Sequence, residues 1–78
     1  MTKELILYTK EKCSLCDDAK ILLETILHNY DVVIREKDIY KDDDLLEKYQ
    51  LMIPVVEIDG EEIDYGQIDP TKVMKRLQ

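Results

Sequence analysis

Leu5-Ile6-Leu7-Tyr8-Thr9-Lys10-Glu11-Lys12-Cys13-Ser14-Leu15-Cys16 is the stretch on which the reading of this chain turns. Leu5–Tyr8 is apolar on both faces, which suits a central, two-sided strand. Thr9–Lys12 is a polar loop. Leu15 to Tyr30 then forms a long amphipathic segment, so Cys13 falls at a strand-to-helix junction. A helix N-terminus offers unpaired backbone N–H groups and a positive dipole end, and both favour a thiolate. Cys16 lies one helical turn inward, within reach of Cys13. The spacing describes a dithiol able to attack a disulfide and then release its partner.

Working outward, Leu15, Ala19, Leu22, Leu23, Ile26 and Leu27 recur at helical spacing, with Asp17, Asp18, Lys20 and Glu24 on the opposite side. His28-Asn29-Tyr30-Asp31 ends this helix. Val32–Glu36 is β-branched and reads as a second strand. Asp42, Asp43 and Asp44 place negative charge at a helix start, and Leu45, Leu46 and Tyr49 give that helix its apolar side. Asp59-Gly60 is the strongest hairpin signal in the chain and joins strand Val55–Ile58 to strand Glu62–Tyr65. Asp69 caps a last helix with Pro70 in its first position, and Val73, Met74 and Leu77 form its apolar stripe. The order is βαβαββα. The predicted fold is α/β, a four-stranded mixed sheet with helices on both faces, in one domain over residues 1–78.

Length and composition set bounds. A chain of 78 residues supports one core. Its charged fraction is 37% and its formal net charge is −7. That balance argues against nucleic acid, which needs clustered cations, and against an anionic membrane surface. It directs attention to basic or neutral partners. The only two cysteines lie in one motif, unlike the dispersed cysteines of a small secreted scaffold. A bridge between them closes too small a loop to restrict the unfolded chain much, so a structural staple explains them poorly. No apolar run reaches signal-peptide or membrane-spanning length, and a cytoplasmic location with a reduced resting dithiol is expected.

With Tyr8-Thr9-Lys10, Cys13-Ser14-Leu15-Cys16-Asp17, Ile53-Pro54-Val55, the hairpin and Tyr65-Gly66 in view, the chain resembles the glutaredoxin-like branch of the thioredoxin-fold superfamily. The resemblance spans nearly all 78 residues. It is closest to the small proteins with a Cys-x-Leu-Cys-Asp motif. It implies a thioredoxin-like fold and a thiol–disulfide oxidoreductase, with Cys13 as nucleophile and Cys16 as resolving cysteine. It also implies a cis Ile53–Pro54 bond beside the dithiol, leaving the Ile53 backbone to pair with an extended substrate. Lys10, Lys12, Ile53, Pro54, Tyr65 and Gly66 are the implied substrate-binding residues. The implied partner is a disulfide-bearing protein or small thiol, with a reductase or glutathione as electron donor, acting on a monomer.

The sequence also departs from that family. Typical glutaredoxins carry Pro-Tyr between the cysteines, where this chain has Ser14-Leu15. Their glutathione site uses paired glycines and then an acidic residue, where this chain has Tyr65-Gly66-Gln67-Ile68-Asp69. Ile68 is expected where a carboxylate would meet the glutathione amino group, and Asp69 is expected to serve as a cap. No cofactor is expected, and glutathione as co-substrate is expected to bind only in the millimolar range, on the order of 4 kcal/mol.

Lys10 and Lys12 are candidate cations beside Cys13, opposed by Asp17 and Asp18. Tyr8 is expected in the core and Tyr65 near a substrate groove. His28, the single histidine, lies about 20 Å along the helix from the motif and is excluded from Cys–His catalysis. The main alternative is a metal or iron–sulfur module using Cys13 and Cys16, as a dimer. Copper-carrying ferredoxin-like domains share the Cys-x-x-Cys but run βαββαβ, and zinc needs about four ligands. A non-catalytic interaction domain has no use for both sulfurs.

Overall fold

The computed structural model describes residues 2–78; Met1, included in the expected single domain, lies outside them. The elements are β1 (Lys3–Thr9), α1 (Ser14–Leu27), β2 (Val32–Asp38), a 3₁₀ turn (Ile39–Lys41), α2 (Asp43–Tyr49), β3 (Val55–Ile58), β4 (Glu61–Tyr65) and α3 (Pro70–Leu77). This is the expected βαβαββα order and a thioredoxin-like fold.

The sheet order is β2-β1-β3-β4. β1 pairs in parallel with β2 and antiparallel with β3, and β3 pairs antiparallel with β4. β1 is thus an inner strand, and its side chains alternate between two cores as a two-sided strand requires. Leu5 and Leu7 join Ala19, Leu23 and Leu27 of α1 and Val73 of α3 on one face. Tyr8 joins Ile39, Tyr49 and Val55 on the other, beneath the 3₁₀ turn and α2, with Ile6 and Ile53 packed against them.

Local chemistry accounts for the ends of the elements. Asp59 and Gly60 both have positive φ, at 50° and 85°, as a two-residue hairpin turn of this twist demands. The Asp42 carboxylate accepts the N–H groups of Asp44 and Leu45 at 2.9 and 3.3 Å. The Asp69 carboxylate accepts the Thr71 N–H at 2.9 Å, with Pro70 in the first helical position. Both are N-caps of the predicted kind.

α1 ends at Leu27 with His28 as its C-cap, in the stretch expected to end it, and the Tyr30 N–H donates to the Leu27 carbonyl at 2.9 Å. Two expectations need correction. β2 runs on to Asp38, because its pairing with β1 continues to Thr9↔Asp38 whatever the local propensity of Lys37 and Asp38. Leu15, assigned to the apolar stripe of α1, is half exposed, since it lies off the buried stripe formed by Cys16, Ala19, Leu23 and Leu27.

Candidate active site

β1 ends in a buried Thr9, whose hydroxyl donates to the Lys37 carbonyl at 3.5 Å. The chain then reverses through Lys10-Glu11-Lys12. Lys12 has φ +55°, a left-handed conformation that L side chains seldom adopt. Such positions persist where the surroundings impose them, and this one lies immediately before Cys13. The turn delivers Cys13 in an extended conformation as the N-cap of α1.

The Cys13 sulfur does what an oxygen does in other caps. It accepts the backbone N–H of Cys16 at 3.1 Å. The Cys13 carbonyl closes the first helical bond with the Asp17 N–H at 3.1 Å. Cys13 and Cys16 are joined as a disulfide, with their Cα atoms 5.2 Å apart. Cys13 is partly exposed, whereas Cys16 is buried at 3% exposure among the α1 residues facing the core. The sulfur an external partner reaches is therefore that of Cys13.

The loop from α2 to β3 supplies the second wall. Ile53–Pro54 is cis, as expected, and Pro54 is fully buried. The Gly66 N–H, at the end of β4, donates to the carbonyls of Met52 and Pro54 at 3.0 and 2.8 Å, which ties the proline loop to the last strand. Gly66 has φ +71°, and a Cβ there meets nothing within 4 Å, so its requirement is conformational and not steric. Cys13 opens into a groove of about 420 Å³ lined by Lys10, Lys12, Ser14, Leu15, Gln50, Leu51 and Ile53.

The structure thus brings Cys13, Lys10, Lys12 and Ile53 to one groove, with Cys16 behind. Tyr65 is exposed at the end of β4 and does not line it. Gly66 lines an adjacent cleft with Gln67 and Ile68, and Leu15 borders both. Ile68 lines that cleft with a small exposed part and otherwise packs into the core beneath α1 and α3. Leu51, 94% exposed, and Gln50 were not anticipated as groove residues. The signal for Leu51 is a leucine outside any helical or strand periodicity, placed between a helix end and a proline. His28 caps the far end of α1, with Nδ1 2.8 Å from the Thr25 carbonyl oxygen.

A larger cleft of about 690 Å³ lies alongside, lined by residues including Lys10, Lys12, Asp17, Lys37, Lys41 and Asp42, without either cysteine. That cleft is larger, but the smaller groove is the one that Cys13 lines. Among the described residues, no three His, Cys, Asp or Glu side chains converge as a metal site. None of the helices there is long and apolar enough to cross a membrane.

The glutaredoxin-like domain family DUF836 matches residues 4–78. The chain belongs to this family. Among solved structures, it is similar over its whole length to protein Ne2328 from Nitrosomonas europaea, at 19% identity and a TM-score of 0.90, covering 94% of that chain. It is similar to mitochondrial thioredoxin 3 from Saccharomyces cerevisiae in its oxidised form, at 22% identity and a TM-score of 0.67, over 96% of this chain and 76% of that one. A thioredoxin from Halobacterium salinarum aligns at 19% identity and a TM-score of 0.70, over 96% and 71%. At these identities the likeness establishes the fold. In this glutaredoxin-like domain, the paired cysteines at the head of α1 are compatible with redox function.

Proposed function

We propose that this glutaredoxin-like protein is a thiol–disulfide oxidoreductase that reduces disulfides through a dithiol, with Cys13 as nucleophile and Cys16 as resolving cysteine. The carrying observation is the Cys13 sulfur capping α1 and accepting the Cys16 N–H, with Cys16 itself buried. In the reduced protein, the Cys13 thiolate attacks one sulfur of a substrate disulfide. The Cys13–substrate bond forms, the substrate S–S bond breaks, and one substrate thiolate leaves and takes up a proton. Cys16, deprotonated to solvent, then attacks the Cys13 sulfur and expels the second substrate thiolate. Two electrons pass to the substrate, and the protein is left as the Cys13–Cys16 disulfide. An external dithiol, or two equivalents of a monothiol such as glutathione, restores the dithiol. Cytoplasmic residence belongs to this reading, because a reducing compartment maintains the free dithiol.

The test is alkylation of single-cysteine variants by iodoacetamide across pH. Cys16→Ser leaves an accessible thiol that reacts about 10-fold faster at neutral pH than the one left by Cys13→Ser, and that traps mixed disulfides. Faster reaction of Cys16 reverses the assignment. A glutathione titration of Cys16→Ser separates substrate classes. Ile68 in place of a carboxylate, and Asp69 engaged as a helix cap, support weak recognition of the glutathione ammonium. Binding in the millimolar range is expected, at about 4 kcal/mol. Micromolar binding returns glutathione to the centre of the mechanism.

A further inference from the structure

The dithiol groove does not share the charge of the protein around it. The chain carries 18 acidic residues and a net charge of −7. None of those acids lines the groove, whereas Lys10 and Lys12 both do. Among the described residues, neither lysine has a carboxylate within ion-pairing distance, unlike Lys20, Lys48 and Lys72. Glu11, between them in sequence, lines the neighbouring cleft together with Asp17. The remaining walls are uncharged: the polar Ser14 and Gln50, and the apolar Ile53, Leu15 at 50% exposure and Leu51 at 94%. Large exposed leucines beside a reactive sulfur offer area that a small, charged thiol leaves uncovered.

We propose that the groove selects a protein disulfide whose reacting cysteine has an acidic residue on the Lys10–Lys12 side and apolar residues against Leu15, Leu51 and Ile53. This rests on the dithiol reading above and names its substrate class. The preference opposes the one that net charge alone suggests. At physiological salt the Debye length is about 8 Å, so carboxylates farther away are screened. Glu11, Asp17, Asp38 and Asp42 share the neighbouring cleft with the two lysines, but in the groove that holds Cys13 the lysines are the charges a partner meets at contact. The lysines act on partner choice and encounter, while the sulfur chemistry stays with Cys13.

The test uses three end-blocked peptides, each with one cysteine held as a thiopyridyl mixed disulfide. They are identical except for Glu, Gln or Lys beside that cysteine, with leucine on the other side. Release of thiopyridone by the reduced protein is followed at about 0.15 M salt, where only near charges act. Each rate is divided by the rate of β-mercaptoethanol with the same peptide, which removes intrinsic differences between peptides. The Glu peptide should react about 10-fold faster than the Lys peptide, and the ratio should approach one in Lys10→Gln/Lys12→Gln and near 1 M salt. A ratio within one protein is insensitive to any change in Cys13 ionisation, which alters all three rates alike. A wild-type ratio of one or less, or a ratio that survives loss of both lysines, overturns this inference alone. Failure of even the Gln peptide to outpace β-mercaptoethanol overturns the dithiol reading itself.

Discussion

Beneath α1 and α3, nine buried residues are all hydrocarbon, from Leu5 and Leu7 through Leu23 to Val73. Beneath the 3₁₀ turn and α2, the buried set is Tyr8, Ile39, Tyr49 and Val55, and half of it carries hydroxyls. The Tyr8 hydroxyl donates to Glu57 at 2.6 Å and the Tyr49 hydroxyl to Glu62 at 2.8 Å, with the two rings 4.8 Å apart and tilted. Glu57 and Glu62 are direct cross-strand partners on β3 and β4. Like charges facing each other destabilise a sheet unless something intervenes. Here each carboxylate receives a phenol, and Glu62 also lies 3.3 Å from the Lys48 ammonium. The first face has a buried core of hydrocarbon alone, with polar contacts such as Arg76–Glu61 and Lys72–Asp64 only at its rim. The second is smaller and adds directional bonds that fix where α2 sits. The dithiol groove spans both: Cys16 belongs to the helix packed on the dry face, and Ile53 packs on the tyrosine face.

The comparison breaks most visibly at Leu23, fully buried in the dry core. Leu23→Ala removes methyl groups that nothing replaces and should cost about 2–5 kcal/mol, read as a lower urea midpoint at unchanged slope. On the tyrosine face, Tyr8→Phe and Tyr49→Phe keep the rings and delete only the hydroxyls. Each should cost about 1 kcal/mol. Because the rings touch, the double variant should depart from additivity by about 0.5 kcal/mol or more, measured as a double-mutant cycle.

Titration sharpens the same contrast, because the tyrosine face buries ionisable phenols. Both phenols titrate above the usual tyrosine range, through burial first and the carboxylate bond second. Below about pH 10 each is protonated whether the chain is folded or not, and its contribution is complete. As pH rises past that point the unfolded chain loses the proton first, so stability falls towards the folded values. Thermal melts from pH 8 to 11 should show this decline, and it should flatten in the double phenylalanine variant. Glu62 behaves oppositely. The Tyr49 hydrogen bond lowers its pKa below the ordinary 4.5, so its contribution is present above that value and fades as pH falls through the lower, folded one. The smallest effect is expected at Arg35, whose bond to Glu4 at 2.7 Å joins two largely exposed side chains. Arg35→Ala should change stability by no more than about 0.5 kcal/mol, and less still at high salt.

Much of this was legible from local pattern. A two-sided apolar strand, a hairpin dipeptide, aspartate caps and a proline at a helix start each act through their immediate neighbours, so they can be read without the fold. The same holds for Cys13 as a helix cap, because three residues set the position of its sulfur relative to the Cys16 N–H. The end of β2 was not legible, since pairing with β1 extends it past where propensity stops. Nor was the exposure of Leu15, which helical periodicity assigned to the core.

What the sequence determined by itself is the element order, the turn and cap positions and the place of the dithiol at the head of α1, all consequences of bonds a few residues long. Only the tertiary structure decided which side chains meet around Cys13. Leu51 and Ile53 reach the groove through a proline loop held by Gly66, across a sheet whose order does not follow the chain. Net charge sums over every residue, whereas a partner meets only those that the fold brings to one place. An acidic chain can therefore present a groove lined by two lysines and no carboxylate.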